Sequence, residues 1–413
     1  MRKIVLFFII LTIIFSILTP FSFSANSMYV WSPNNSSIND YSSLGGPITT
    51  NVSPITDLNL ESGAGILIDQ STGQVLYEHN AHEQLRPASV TKVMSILLIM
   101  EALDSGTITL EDKVPCSSNA RSMGGSQIWL NETEQLTVDE MLKAICVVSA
   151  NDCTVAMAEY LCGSQEGFVQ KMNERAKQLG MNDTCFKNCH GIDEDGHVTS
   201  AYDIAIMSRE LLTNHPSITN YTTIWMDTLR DGKSQLVNTN KLLRNYQGCT
   251  GLKTGSTSLA LYNLSASATR DDLSLIAVIM KAPTTDARFN ECKKLLDYGF
   301  ANFSYTSFAK NGDVVKNVNI TKGLQSTVNA VFAKDAGAIT FKNESSQITQ
   351  TINLQDSFSA PISAGQKLGE ATYSLNGTVL STVDIIAETE VKKLSFANMA
   401  SSLYKTWFCL MRN

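Results

Sequence analysis

Three short groups of residues carry side chains that could perform chemistry together. The first is Ser89 and Lys92, three positions apart at the start of a long apolar run. A helix there places both side chains on one face within a turn. A serine hydroxyl is a weak nucleophile until a neighbour takes its proton, and a buried, deprotonated lysine can do that. The pair therefore suggests a serine nucleophile with a lysine base.

The same spacing also has an ordinary structural explanation. Pro87 and Ser89 are typical of the first turn of a helix, in which the lysine would simply be exposed to solvent. The Ser-x-x-Lys spacing recurs twice more where no neighbouring residue suggests chemistry, at Ser307/Lys310 and Ser402/Lys405. Taken alone, the first pair favours a capped helix, so the chemical interpretation depends on the other two groups.

The second and third groups would add a hydroxyl, an amide and a fixed charge to one cleft. Ser149 and Asn151 follow an amphipathic helical pattern, and a tight turn would direct both side chains to one side. The Ser-x-Asn spacing also occurs elsewhere in the chain. Lys253, Thr254 and Gly255 lie in a segment that is predicted to form a strand. The lysine would supply positive charge, the threonine a hydroxyl, and the glycine room for a neighbouring element to pass close.

The elements that must position these groups predict an α+β domain. Strands are predicted over 64–69, 74–77, 262–269 and 273–280, helical segments between 137 and 212, and a helix over 286–300. This order predicts an antiparallel sheet built from both ends of the segment and flanked by helices, with an all-α lobe inserted. From about residue 305, short alternating runs separated by glycine turns predict a small all-β domain.

Composition narrows the class of protein. A chain of 413 residues has room for two globular domains, and a net charge of −7 argues against nucleic acid as a partner. The nine cysteines are an odd number without paired C-x-x-C spacing, so no disulfide pairing follows. The nearest metal-ligand group, Cys185, Cys189 and His190, lacks a fourth ligand. We expect no metal and no cofactor.

The two ends of the chain predict export and membrane contact. Arg2 and Lys3 precede an apolar run and then small residues, which predicts a secretory signal peptide over 1–24; a retained membrane helix is the alternative. Residues 25–59 have the composition of a linker. Residues 391–413 predict an amphipathic helix with bulky apolar side chains on one face. We interpret it as an interfacial membrane anchor rather than a helix docked on the protein.

Together and in this order, the three groups resemble the signature of penicillin-recognising serine acyltransferases. Within that group the chain closely resembles the exported D-alanyl-D-alanine carboxypeptidases, which are low-molecular-mass penicillin-binding proteins. The likeness extends from about Gly65 to the tail and includes Ile68-Asp69, Pro87 to Ser89, Ser149 to Asp152, His190 to Asp193, and Lys293 to Phe300. It implies a penicillin-binding/β-lactamase-like transpeptidase domain over 60–305 and a small all-β domain over 306–390.

The resemblance also implies a role for each residue. Ser89 would attack the carbonyl between the two terminal D-alanines of a peptidoglycan stem pentapeptide and form an acyl-enzyme, with Lys92 as its base. Ser149 would relay the proton to the departing D-alanine. Asn151 would orient Lys92 and the substrate amide. β-Lactam antibiotics would acylate the same serine, and the enzyme would act on the cell-wall side of the cytoplasmic membrane.

Further positions would bind the substrate. Lys253 and Thr254 would hold the terminal carboxylate, helped by Arg288. Backbone N–H groups of Ser89 and Ser256 would form the oxyanion hole. The sequence departs from the family where Ala260 is followed by Leu261, because the family usually has Ala-Gly there. That change could reshape the strand beside the site.

Two other functions compete with this interpretation. A β-lactamase would need a carboxylate to activate the deacylating water, in a Glu-x-x-Leu-Asn setting. The nearest segment, Glu210 to Asn214, lacks the leucine before the asparagine and lies inside a predicted helix. An inactive homologue that only binds cell-wall peptide is the other alternative, and the presence of all three intact groups argues against it.

Overall fold

The computed structural model describes residues 58–410. The signal peptide expected over 1–24 and nearly all of the linker expected over 25–59 lie outside the described residues, as do residues 411–413. Eight of the nine cysteines have described side chains, and these eight are free thiols: Cys116, Cys146, Cys153, Cys162, Cys185, Cys189, Cys249 and Cys292. No helix in this part of the chain has both the length and the apolar composition needed to cross a bilayer.

A five-stranded antiparallel sheet with the order β2-β1-β9-β8-β7 lies at the centre of the first domain. Two short hairpins, β3–β4 and β5–β6, lie outside it. The strands are β1 (Ala64–Asp69), β2 (Val75–His79), β3 (Lys113–Pro115), β4 (Gln135–Thr137), β5 (Met226–Leu229), β6 (Ser234–Val237), β7 (Cys249–Thr257), β8 (Leu261–Arg270) and β9 (Leu273–Ala282).

Both faces of this sheet are covered, which explains its apolar strands. Side chains alternate along a strand, so Ile66 and Ile68 pack into the core shared with the helical lobe while Leu67 packs into the opposite core. The opposite core also contains Leu295 and Leu296, from the helix that follows the last strand of the sheet. The sheet built from both ends of the segment is therefore confirmed.

The helical lobe is inserted between β2 and β7, as predicted. Thr137 caps one of its helices with a capping box to Glu140, the pattern expected from the sequence. The helices of this domain are α1 (Lys92–Asp104), α2 (Ser118–Arg121), α3 (Val138–Val147), α4 (Asn151–Cys162), α5 (Gln165–Gln178), α6 (Ala201–Asn214), α7 (Thr219–Thr222), α8 (Leu242–Asn245) and α9 (Thr285–Asn302), with 3-10 turns at Ala88–Thr91 and Pro216–Ile218.

The all-β domain is also confirmed. Its six-stranded sheet has the order β14-β16-β17-β12-β11-β15, and β10 pairs with β13 beside it. The boundary expected between residues 305 and 306 falls inside β10. The strands are β10 (Phe303–Ala309), β11 (Val314–Thr321), β12 (Thr327–Phe332), β13 (Ala336–Phe341), β14 (Thr349–Leu354), β15 (Ser357–Ser359), β16 (Lys367–Leu375) and β17 (Thr378–Ala387), with a 3-10 turn at Ser345–Gln347.

The described chain ends in a helix, α10 (Phe396–Leu410). Large apolar side chains along it are exposed: Phe396 at 82%, Leu403 at 65% and Trp407 at 60%. These three bulky apolar side chains of α10 are therefore not buried in the protein.

Candidate active site

Ser89 lies on a single 3-10 turn, Ala88–Thr91, immediately before α1. Two glycines allow other segments to approach this turn. A Cβ on Gly191 would lie 1.9 Å from the Ala88 carbonyl oxygen, and a Cβ on Gly255 would lie 2.9 Å from the Ser89 nitrogen. Ser89 is half-buried, so its hydroxyl stays within reach of a ligand. The close approach expected of Gly255 is present.

Lys92 begins α1 and is completely buried. Its Nζ lies 3.1 Å from Ser89 Oγ, 2.6 Å from Asn151 Oδ1 and 2.7 Å from the His190 carbonyl oxygen. The amide and carbonyl oxygens can only accept hydrogen bonds. A neutral amine has two N–H donors for those oxygens, which leaves its lone pair for the serine hydroxyl.

Electrostatics favours that neutral form. Burial holds the pKa of Lys92 well below its ordinary value, and the nearby charge of Lys253 lowers the pKa further. The structure therefore places an uncharged amine against the hydroxyl of Ser89, which is the arrangement that general-base activation of a serine requires.

Ser149 and Asn151 occupy the turn between α3 and α4. Ser149 has φ of 66°, a left-handed conformation uncommon for a residue with a side chain, and its buried Oγ has no hydrogen-bond partner among the described residues. Asn151 accepts from Lys92 through Oδ1 and donates through Nδ2 to the Gly124 carbonyl at 2.7 Å. The pair expected to face one cleft is thus held by a tight turn, with Asn151 already bonded to the lysine.

Asp152 fixes the loop that passes over this turn. Its buried carboxylate accepts from the backbone nitrogens of Ile128 and Leu130 at 3.1 and 3.0 Å. The Asn151 nitrogen donates to the carbonyl of Ser126 in the same loop. Sequence reasoning gave Asp152 no role, although its place directly after Ser149-Ala150-Asn151 was a usable signal.

Lys253, Thr254 and Ser256 lie on β7, an edge strand of the sheet. Lys253 is buried and donates to its neighbour's carbonyl at 2.9 Å, and burial together with the charge of Arg288 lowers its pKa to about 7. The Thr254 hydroxyl lies 2.6 Å from that of Thr239. Ser256 is exposed at the open end of the strand. The strand thus presents charge and hydroxyls beside Ser89.

Arg288 lies beneath this strand, on α9. Its Nη1 donates to the carbonyls of Gly255 and Asn263, each at 3.3 Å, and the guanidinium lies 4.6 Å from the Phe289 ring. Burial lowers the pKa of Arg288. Its Nε has no hydrogen-bond partner in the described part of the chain. Arg288 therefore supports β7 from below and adds positive charge to the cleft.

Two contributors were missed from the sequence: the backbone carbonyl of His190 and the hydroxyl of Thr239. A backbone acceptor leaves no trace in residue type, although Gly191 marks the close approach of its segment. Burial lowers the pKa of His190 to about 3, so its imidazole is neutral. Within residues 58–410, Cys185, Cys189 and His190 are not gathered into a metal-ligand group.

A buried neutral lysine beside a serine, with a positively charged strand next to them, defines a serine acyl-transfer site. The family model described as D-alanyl-D-alanine carboxypeptidase matches residues 49–284, and that of the penicillin-binding protein 5 C-terminal domain matches residues 303–393. The chain belongs to the D-alanyl-D-alanine carboxypeptidase family. It is a serine-type D-Ala-D-Ala carboxypeptidase with the predicted penicillin-binding domain and all-β domain.

Individual relatives and solved structures support the same family assignment. The chain is 43% identical over 356 residues to D-alanyl-D-alanine carboxypeptidase DacF of Bacillus subtilis, covering 85% of this chain and 91% of the relative. It is 30% identical to the structure of penicillin-binding protein 5 from Haemophilus influenzae, with a TM-score of 0.72, covering 82% of this chain and 100% of that one. Penicillin-binding protein D2 of Listeria monocytogenes, solved in an ampicillin-bound form, matches at 30% identity and a TM-score of 0.55, covering 59% and 100%.

Proposed function

We propose that Ser89 and Lys92 perform the carboxypeptidase reaction on peptidoglycan stem pentapeptides. Neutral Lys92 takes the proton of Ser89 Oγ as that oxygen attacks the carbonyl carbon of the penultimate D-alanine. The C–N bond to the terminal D-alanine then breaks, and the proton moves to the leaving nitrogen through the Ser149 hydroxyl. A water molecule then attacks the resulting ester and gives a proton to Lys92, which passes it to the departing Ser89 Oγ. This step releases the shortened peptide and restores the Ser89 hydroxyl and neutral Lys92.

Asn151 and β7 orient the substrate in this proposal. Asn151 holds Lys92 through Oδ1 and faces the substrate amide. Lys253 and Thr254 bind the terminal carboxylate, and Arg288 strengthens the positive field. The backbone nitrogens of Ser89 and Ser256 stabilise the developing oxyanion, a contribution of roughly 3 kcal/mol per donor. The approach of Gly255 to the Ser89 turn brings the two segments together.

The single observation that carries the proposal is the set of contacts of Lys92. The Lys92 amine is fully buried and contacts two acceptor oxygens and one hydroxyl, and no carboxylate among residues 58–410 forms a salt bridge with it. Burial and the charge of Lys253 lower its pKa more than the charges of Cys189 and Asp152 raise it. An ordinary structural lysine would expose its amine or pair it with a carboxylate.

Incubation with a D-Ala-D-Ala-terminated pentapeptide tests the reaction. We expect release of one D-alanine per peptide and, with penicillin, a covalent adduct that mass spectrometry of the digested protein locates on the peptide containing Ser89. The Ser89→Ala variant should release no D-alanine and form no adduct. Stoichiometric acylation of that variant would overturn the assignment of the nucleophile.

β-Lactam recognition follows from the same site. The Listeria relative was solved in an ampicillin-bound form, and a β-lactam presents both a reactive carbonyl and a carboxylate. In this chain the carbonyl would meet Ser89 and the carboxylate would meet Lys253 and Thr254. The β-lactam would then remain as an ester on Ser89.

We also propose that the enzyme is exported by the signal peptide at 1–24 and associates with the outer face of the cytoplasmic membrane. Residues 25–59 would link the leader to the catalytic domain at 60–305, and the β domain at 306–390 would raise that domain from the membrane. The exposed apolar side chains of α10 support a membrane contact through residues 391–413. Burial of apolar surface at the headgroup boundary contributes roughly 25 cal/mol per Å².

Truncation after Ser395, immediately before α10, tests the anchor; Val391 is kept because it is buried in the core of the β domain. We expect the shortened enzyme to leave the membrane fraction while it keeps its turnover on a small peptide and its cooperative melting. A helix that packs on the protein would instead destabilise the β domain when removed. Persistent membrane association, or loss of a cooperative transition, contradicts the anchor.

A further inference from the structure

The segment Asn238-Thr239-Asn240 connects β6 to α8 beside the active-site strand. Asn238 is buried, and its Nδ2 donates to the Ile224 carbonyl at 2.8 Å. Asn240 is also buried, and its Nδ2 donates to the Gly251 carbonyl at 2.8 Å. The two asparagines are joined by a hydrogen bond from the Asn240 nitrogen to Asn238 Oδ1. They fix the segment to the helical lobe on one side and to β7 on the other.

Thr239, between them, is exposed. Its backbone nitrogen donates to the Val147 carbonyl at 3.2 Å, just before the Ser149 turn. Its hydroxyl lies 2.6 Å from the Thr254 hydroxyl. An exposed threonine between two buried, fully bonded asparagines has a fixed backbone and a side chain directed at the strand that carries the substrate-binding residues.

In a hydrogen bond between two hydroxyls, one hydroxyl donates its proton and the other accepts. A carboxylate can only accept hydrogen bonds. If Thr254 donates to Thr239, it has no proton left for a substrate carboxylate. If Thr239 donates, the proton of Thr254 is free, and the two hydroxyls form a chain that ends on the carboxylate. Hydrogen bonds in such a chain strengthen one another.

We propose that Thr239 is a substrate-positioning residue that donates to Thr254 Oγ1 and so directs the Thr254 proton to the terminal carboxylate of the substrate. This inference rests on the proposed role of Thr254. Thr239 acts through Thr254 and does not touch the reacting carbonyl. It therefore sets binding of the terminal residue and not the rate of bond breaking.

Kinetics of the full-length enzyme on a D-Ala-D-Ala-terminated peptide test the inference. Thr239→Val keeps the shape of the side chain and removes the hydroxyl, whereas Thr239→Ser keeps the hydroxyl. We expect Thr239→Val to raise KM about 5-fold to 10-fold with kcat within twofold of the parent, because a hydrogen bond to the bound state is lost. Thr239→Ser should restore KM to within twofold.

A double-mutant cycle with Thr254→Val separates this inference from the proposed function. In the Thr254→Val background, Thr239→Val should have no further effect on KM, because the hydroxyl that it serves is gone. If Thr254→Val alone leaves KM unchanged, the proposed role of Thr254 fails. If Thr254→Val raises KM but Thr239→Val does not, only the present inference fails.

A purely structural role for Thr239 gives a different pattern. It would lower the melting temperature of Thr239→Val, reduce kcat as well as raise KM, and persist in the Thr254→Val background. Any of these three results overturns the inference. Unchanged melting of Thr239→Val together with rescue by Thr239→Ser supports it.

Discussion

The spacing Ser-x-x-Lys has opposite outcomes in two regions of the described chain, at Ser89/Lys92 and at Ser307/Lys310. At Ser89 and Lys92 the lysine is fully buried and three oxygens lie within 3.1 Å of its amine. At Ser307 and Lys310 both residues are exposed at the end of β10. Residues three apart in an extended chain point to opposite faces, whereas those in a helical turn share one.

The comparison shows that the Ser-x-x-Lys spacing alone does not produce a reactive pair. The lysine must also be buried, because burial lowers the pKa of its amine. Desolvation lowers the pKa of Lys92, as the proposed base requires, and it comes from α4, the segment at His190 and β7, which surround the amine. None of these elements adjoins Lys92 in sequence. The pair at Ser307 has no such surroundings, so the same two residue types remain an ordinary part of a strand and its turn.

The largest expected effect separates the two pairs directly. Ser89→Ala and Lys92→Ala should each reduce D-alanine release roughly 10⁴-fold or more, because the nucleophile and its base act as a unit. Ser307→Ala and Lys310→Ala, the matched controls, should remain within twofold of the parent. Steady-state kinetics on a D-Ala-D-Ala peptide measures both sets, and a comparable loss in Lys310→Ala would break the comparison.

A smaller effect on acylation is expected from adding a side chain at Gly255, where β7 approaches the turn that carries Ser89. A Cβ on Gly255 would lie 2.9 Å from the Ser89 nitrogen and 2.8 Å from the Val90 nitrogen. These are backbone atoms that cannot rotate away, so β7 must shift. Gly255→Ala should slow acylation by penicillin about 100-fold, the usual result of misplacement by about 1 Å. An acylation rate within threefold of the parent would show that the close approach is not needed.

The charge of Lys253 predicts a shift in pH dependence. Lys92 must be deprotonated to act, and the charge of Lys253 lowers the pKa of Lys92. Lys253→Met removes that charge, so the pKa of Lys92 rises and the acid limb of the penicillin acylation profile moves to higher pH. In the parent enzyme, kcat/KM on the peptide should also fall above about pH 7, as Lys253 loses its proton. An acid limb that stays in place in Lys253→Met contradicts this coupling.

The smallest expected effect concerns the strand beside the site. Leu261 has φ of 56°, in the left-handed region that glycine adopts with least strain. This explains why the family usually has glycine at that position. Leu261→Gly should change the free energy of unfolding by less than about 1 kcal/mol, because relief of strain offsets lost backbone entropy. Urea denaturation measures it, and a loss above 2 kcal/mol would indicate that the leucine side chain carries packing.

Much of the site could be predicted because its residues have distinctive side chains. Ser89, Lys92, Ser149, Asn151, Lys253 and Thr254 carry their chemistry in residue type and spacing, and the structure brings them together. The His190 carbonyl could not be predicted, because every residue has one. Thr239 could not either, since its role depends on a hydroxyl fifteen positions away that meets it only in the folded chain.

The fold divides in a similar way. The central sheet and the capping box at Thr137 follow from strong periodicity and from local hydrogen bonding. The hairpin β5–β6 was not predicted, since the sequence predicts no strand between 77 and the segment that contains Lys253. Its exposed positions include Met226 and Val237, so it lacks the clean alternation of apolar and polar residues that marks a half-buried strand.

The central sheet also determines when the enzyme can become active during folding. β1 pairs with β9, and Ser62 donates to Glu291, 229 residues further along the chain. Contacts between residues this distant in sequence form slowly, because closing the long intervening chain costs conformational entropy. A partly synthesised chain therefore contains Ser89 and Lys92 but no β7 to stand beside them. Ser89 and Lys92 therefore acquire the surroundings described above only after almost three hundred residues have been made, so the site cannot assemble on a shorter nascent chain.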